Sequence, residues 1–154
     1  MVFVEENYEK GVDFERNVIG LFNSHDFGIY NWTRDTWRKH GDIKVESDSN
    51  PDLVMRHKPT NEKFAIECKF RSEIKKESIR FDLRYKIDKY IKYSEDFDIP
   101  VFVVIGIGKD GMNIDRMFCI PLEEATLTNI KADVYERFER KPYLNFTWMN
   151  GRLF

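Results

Sequence analysis

The chain has two cysteines, three histidines and no apolar run approaching a membrane span. Each shortage removes a class of protein. Cys68 and Cys119 both sit in apolar, strand-like surroundings, which suits reduced core residues in a cytoplasmic protein better than a disulfide framework. His25, His40 and His57 share neither mutual spacing nor cysteine partners, which argues against a zinc site. The longest apolar stretch, residues 101–107, is far shorter than the ~20 residues a spanning helix needs. Near Met1, VFVEENYEKG lacks the basic start and long apolar run of a secretory leader. A net charge of −2 argues against a protein that simply coats nucleic acid. No repeat, linker or low-complexity tract is visible.

What is present suits a core. Hydrophobic residues make up 42% of the 154, and the length fits one domain, residues 1–154, with helices packed on a sheet. Residues 8–23 read as a helix, because Phe14, Val18, Leu21 and Phe22 recur at helical spacing. Residues 27–32 read as a strand, residues 33–41 as a loop or short helix, and residues 42–50 as an exposed polar stretch. Residues 77–97 read as a second helix whose buried side is Phe81, Tyr85, Ile87, Tyr90 and Ile91. VFVVIGIG, after Pro100, has the continuous apolar character of a central strand covered on both faces. Residues 115–122 suggest a further strand, and residues 122–141 a short helix with a polar connection. Asn150-Gly151 between apolar residues suggests a hairpin turn.

The organising stretch is PDLVMRHKPTNEKFAIECKFR, residues 51–71, which reads as a β-hairpin turning at residues 58–62. In its second strand Phe64, Ile66, Cys68 and Phe70 point one way, and Ala65, Glu67 and Lys69 the other. Glu67 and Lys69 therefore share a face, beside the space left by Ala65. Asp52 opens the partner strand and can turn its carboxylate to the same place. An acid-x-lysine pair alone means little: with 27 acids about 2.5 such pairs arise by chance, and the chain has four. Only Glu67–Lys69 lies within an alternating apolar strand and follows another strand-borne acid across a turn. Its bland reading is an ion pair on an exposed sheet face.

Charge is also unevenly placed. Residues 71–94 carry eight basic residues (Arg71, Lys75, Lys76, Arg80, Arg84, Lys86, Lys89, Lys92) against four acids. Alone, that is a solvated helix face; beside a metal-like site, a phosphate-binding stripe is the better reading. Gly106-Ile107-Gly108-Lys109-Asp110-Gly111 has the spacing of a dinucleotide loop, but the following MNIDRMFCI reads as turn and strand. A hairpin loop is the preferred reading. Trp32 and Trp37 could stack on bases, although core packing explains them as well.

Asn50-Pro51-Asp52-Leu53 followed by Ala65-Ile66-Glu67-Cys68-Lys69 resembles the PD-(D/E)XK nuclease superfamily, over roughly residues 8–120. The resemblance implies an α/β, restriction-endonuclease-like mixed central sheet flanked by helices. It implies an endonuclease that hydrolyses phosphodiester bonds, DNA before RNA, with Mg²⁺ as cofactor and Mn²⁺ as substitute. Asp52 and Glu67, with the backbone carbonyl of Cys68, would be metal ligands, and Lys69 would complete the catalytic set. Glu15 is similar to a helix-borne acid that many members use as an extra ligand. Some members carry a glutamine in the helix after the lysine; residues 77–97 have none, leaving Arg84 or Lys86 as stand-ins. Arg71, Lys75, Lys76, Arg80, Arg84 and Lys86 are the expected nucleic-acid contacts. Nucleic acid is the expected partner, no membrane is, and a homodimer is compatible with the sequence. Two rivals remain at this point: a domain that keeps this fold without cleavage, and a nucleotide-binding α/β protein.

Overall fold

The computed structural model describes residues 2–32 and 50–154 of the chain. Helix α1 (Val2–Gly20) precedes strands β1 (Phe27–Trp32), β2 (Leu53–His57) and β3 (Glu62–Arg71). Short β4 (Ser78–Arg80) and helix α2 (Arg84–Phe97) lead to β5 (Val101–Asp110) and β6 (Asn113–Pro121). A 3₁₀ turn, β7 (Asn129–Lys131), α3 (Ala132–Tyr135), β8 (Glu139–Arg140), β9 (Trp148–Met149) and β10 (Arg152–Leu153) complete the described chain. The main sheet has the order β1-β2-β3-β5-β6-β8. Among the described strands only β3 and β5 run parallel, and the stretch between them carries β4 and α2. This is a mixed α/β sheet flanked by helices, as expected. The expectations for residues 33–49, including Trp37, and for the Trp32 side chain lie outside the described residues.

Alternation in β3 splits the core in two. Phe64, Ile66 and Cys68 join Phe14, Val18 and Phe22 of the α1 side in one cluster. Ala65 joins Val103, Ile105 and the α2 residues Ile87 and Tyr90 in the other. The central strands are therefore covered on both faces, which is why VFVVIGIG has no polar side. Gly106 and Gly111 admit α1: a side chain at Gly106 would strike the Phe14 ring, and one at Gly111 the α1 backbone. The glycine-rich stretch leads into β6, not into a helix, so the dinucleotide reading is excluded. Cys68 and Cys119 are both buried thiols without a disulfide.

The second helix is shorter than its periodicity suggests. Residues 77–83 are not helical, because a partner distant in sequence captures them: β4 pairs antiparallel with β7, setting Ile79 against Ile130. Lys76 and Glu77, at φ 52° and 54°, make a tight left-handed turn closed by Lys75 and Ser78. Starting at Arg84, α2 buries Ile87 and Tyr90, while Tyr85 is 56% exposed rather than packed. Phe81 is buried, but from the preceding loop. The first helix ends at Gly20, and Leu21 and Phe22 pack just beyond it.

The C-terminal segment closes the α1 side. Asn150 and Gly151 both take positive φ, as a two-residue hairpin turn requires. Trp148 stacks on Phe64 with ring centroids 4.5 Å apart, and Phe146 stacks on Phe22 at 4.6 Å. Among the described residues no helix is long and apolar enough to cross a membrane.

Candidate metal and nucleic-acid site

The site begins with strand register. Leu53 lies opposite Ile66 and Val54 opposite Ala65, so Asp52, just before β2, falls beside Glu67 on the α2 face. The Asp52 backbone N–H donates to Glu67 Oε1 at 3.2 Å, and Cys68 N–H donates to Asp52 Oδ2 at 2.8 Å. The side chain of Asp52 thus continues the edge of β3 where β2 has not begun. The N–H and C=O of one strand residue leave on the same side, so the Cys68 carbonyl also faces Asp52.

Lys69 Nζ stands 3.1 Å from Glu67 Oε2 and 2.7 Å from Asp82 Oδ2. Asp82 is held in turn by the Tyr90 hydroxyl, which donates at 2.7 Å, and by the Leu83 N–H at 2.9 Å. Asp82 and Tyr90 are not legible as site residues in the sequence. Asp82 falls in a stretch whose periodicity suggests helix, and its meeting with Lys69 depends on the β4–β7 pairing.

Burial dominates the electrostatics. Glu67 is 3% exposed, so the bland reading of an exposed ion pair does not hold. Desolvation and then the nearby Asp52 carboxylate push the Glu67 pKa up to about 8, with Lys69 only partly offsetting them. Burial alone would lower the pKa of Lys69, but Glu67 and Asp82 turn it upward and keep the ammonium charged. Burial would raise Asp82; its contacts with Lys69 and the hydrogen bond from Tyr90 hold it below the usual carboxylate range. The phenol of Tyr90 is pushed up, first by burial and then by Glu67 and Asp82, so it remains a donor.

Two carboxylates, Glu67 and Asp82, therefore flank one ammonium, and a third, Asp52, lies beside Glu67. A divalent cation beside Asp52 and Glu67 would balance that excess of negative charge, and the donors are the oxygens Mg²⁺ prefers. Among the described residues no three His, Cys, Asp or Glu side chains group as a complete metal cage. Mg²⁺ does not need one, since it keeps several waters and often takes only one or two carboxylates. The residues present fit such an ion. Glu15 is fully buried on α1, but it forms no such three-ligand group with Asp52 and Glu67.

The basic residues divide into two kinds. Arg71 donates to three backbone carbonyls: Nε to Arg80 at 2.8 Å, Nη2 to Phe81 at 2.7 Å and Nη1 to Phe70 at 2.9 Å. It clamps the loop that carries Asp82. Arg84 is likewise engaged, with Asp88 at 3.0 Å and the Thr126 carbonyl. Lys75, Lys76 and Arg80 are exposed, and Lys86 is half-buried in the first turn of α2. Residues 125–131 buttress this region, since Phe81 N–H also bonds the Thr128 carbonyl at 2.8 Å.

The sheet order, the parallel β3–β5 pair and the flanking helices define a class: the chain has the mixed α/β, restriction-endonuclease-like fold expected from its sequence. Within it, the chain is similar to the solved structure of Archaeoglobus fulgidus Hjc, a Holliday junction resolvase from an archaeal hyperthermophile. The TM-score is 0.56 at 19% identity, covering 84% of this chain and 89% of that one. No family model and no curated protein matches the sequence.

Proposed function

We propose that the chain is a metal-dependent nuclease, an endonuclease acting on DNA, working as one domain. The observation that carries this reading is the convergence of Asp52, Glu67 and Lys69 in one buried, anion-rich cluster on a nuclease-type fold. DNA is favoured over RNA by the likeness to a resolvase named for a DNA junction.

Asp52 and Glu67, with the Cys68 carbonyl, would hold Mg²⁺, or Mn²⁺ in its place. When bound, that ion supplies charge neutralisation at the phosphate and an acidified water. Lys69 places an ammonium where the attacking water and the phosphate meet, stabilising negative charge as it develops. Asp82 and Tyr90 act through Lys69: they fix its amine between two carboxylates and keep it protonated, which favours an orienting and charge-stabilising role over that of a base. Arg71 holds the Asp82 loop. Lys75, Lys76, Arg80 and Lys86 face the route of the flanking strand. Glu15 is kept as an outer-ligand candidate.

The test is cleavage of labelled duplex, branched and single-stranded DNA, and of RNA, with Mg²⁺, Mn²⁺ or chelator. Metal-dependent cleavage abolished by Lys69→Ala is expected. Binding without cleavage of any substrate would return the chain to a non-catalytic domain with this fold.

A further inference from the structure

Next to the cluster lies a cleft of about 410 Å³ between the end of β3 and the β4–β7 ribbon. We propose that it is a subsite for one phosphate of the substrate strand, one or two nucleotides from the phosphate being cut. The proposal rests on the nuclease reading for its strand, and on the cleft itself for its anion.

Position is the first argument. Arg71 lines the cleft and follows Lys69 by two residues on the same strand, about 6.6 Å further along and on the same face. That is about one nucleotide step from the site. The second argument is charge. Arg71, Lys75 and Arg80 line the cleft against one acid, Glu73, which lies at a loose 3.7 Å from Lys75 with both side chains well exposed. Arg71 cannot grip a ligand with donors already bonded to carbonyls, yet its guanidinium stays as a fixed positive charge in the wall.

The third argument is rigidity. Arg80 sits opposite Asn129 in the β4–β7 ladder, placing a cation and an amide donor together on the ribbon. The Arg80 carbonyl is tied to Arg71, so the ribbon is fixed to the strand that bears Lys69. Lys75 is set by the turn at Lys76 and Glu77, whose left-handed backbone is costly for residues other than glycine. The turn is closed by reciprocal bonds, Lys75 N–H to Ser78 O at 3.1 Å and Ser78 N–H to Lys75 O at 3.0 Å. A cationic cleft pinned at a near-constant distance from the reacting centre sets register along a strand, which is what backbone-phosphate contacts do.

The experiment replaces single phosphates of a cleaved DNA substrate by neutral methylphosphonates, one position at a time. It is run with wild-type protein and with Lys75→Ala and Arg80→Ala. At one non-scissile position the replacement should lower kcat/KM about tenfold in wild type and less than about twofold in Arg80→Ala, because the cation that reads that phosphate is already absent. Equal reductions in wild type and both variants at every position would overturn the subsite while leaving the nuclease reading intact. A second readout follows the Asn129 side-chain amide by NMR during titration with inorganic phosphate and with a DNA trinucleotide. Both should move it in wild type and neither in Arg80→Ala. Movement by both without any metal-dependent cleavage would uphold the anion cleft and reject the nuclease. Movement by phosphate alone marks an adventitious anion site and overturns the proposal, as does no movement at all.

Discussion

Glu67 is a carboxylate whose surroundings disfavour its charge. Its folded pKa, about 8, lies above its unfolded value of 4.5, so the folded chain holds the proton more tightly. The stability this gives is full below the unfolded value and falls as pH rises through the interval, by up to about 1.4 kcal/mol per pH unit. In chelator, wild type should therefore lose thermal stability between about pH 5 and 8, and Glu67→Gln should lose much less. Mg²⁺ should restore the wild type at pH 8 and leave Glu67→Gln unmoved. A flat wild-type profile in calorimetry would contradict the burial of an unbalanced carboxylate. Asp82→Asn removes the charge opposite Lys69 but keeps the shape. It is expected to lower kcat by roughly 10–100-fold, with Tyr90→Phe costing less, if positioning charge is worth ~1–3 kcal/mol. Steady-state kinetics on a common substrate would check the order; an inert Asp82→Asn would remove Asp82 from the mechanism. Asp52, Glu67 and Lys69 can be read from parity alone, since strand alternation fixes which side chains share a face. Asp82 and Tyr90 cannot, because no local period brings a loop aspartate onto Lys69.

Elements with local causes are the ones legible in sequence. The β2–β3 hairpin and the Asn150-Gly151 turn follow from alternation and turn chemistry, and both stand where expected. Residues 77–83 do not, since their partner β7 lies some fifty residues onward and outweighs a helical period. This element also engages Arg71 as a structural clamp, through three of its five donors. Arg71→Lys keeps the charge and removes the fork of donors to Arg80, Phe81 and Phe70. It should slow cleavage while leaving the salt dependence of DNA binding unchanged. Charge reversal at Lys75, Lys76 and Arg80 should flatten that dependence, by about 0.9 in log–log slope for each phosphate no longer neutralised. Fluorescence anisotropy with Lys69→Ala protein, which should not cut, separates the two. A reduced slope in Arg71→Lys would restore Arg71 as a direct phosphate ligand.

At the scale of the whole molecule, the two-sided core places a costly charge cluster between sheet and α2, at the start of β2 and near the cleft. Both faces of β3 are packed, so Glu67 and Lys69 cannot relax into solvent, and the cluster is balanced most simply by a bound cation. Calorimetric titration of Mn²⁺ at neutral pH, in buffers of different ionisation enthalpy, tests this most directly. One ion should bind with release of most of a proton, because Glu67 must give up the proton it holds below about pH 8. Asp52→Asn should abolish both binding and release. Binding that survives Asp52→Asn and Glu67→Gln, or no binding to wild type, would contradict a metal centre at these residues.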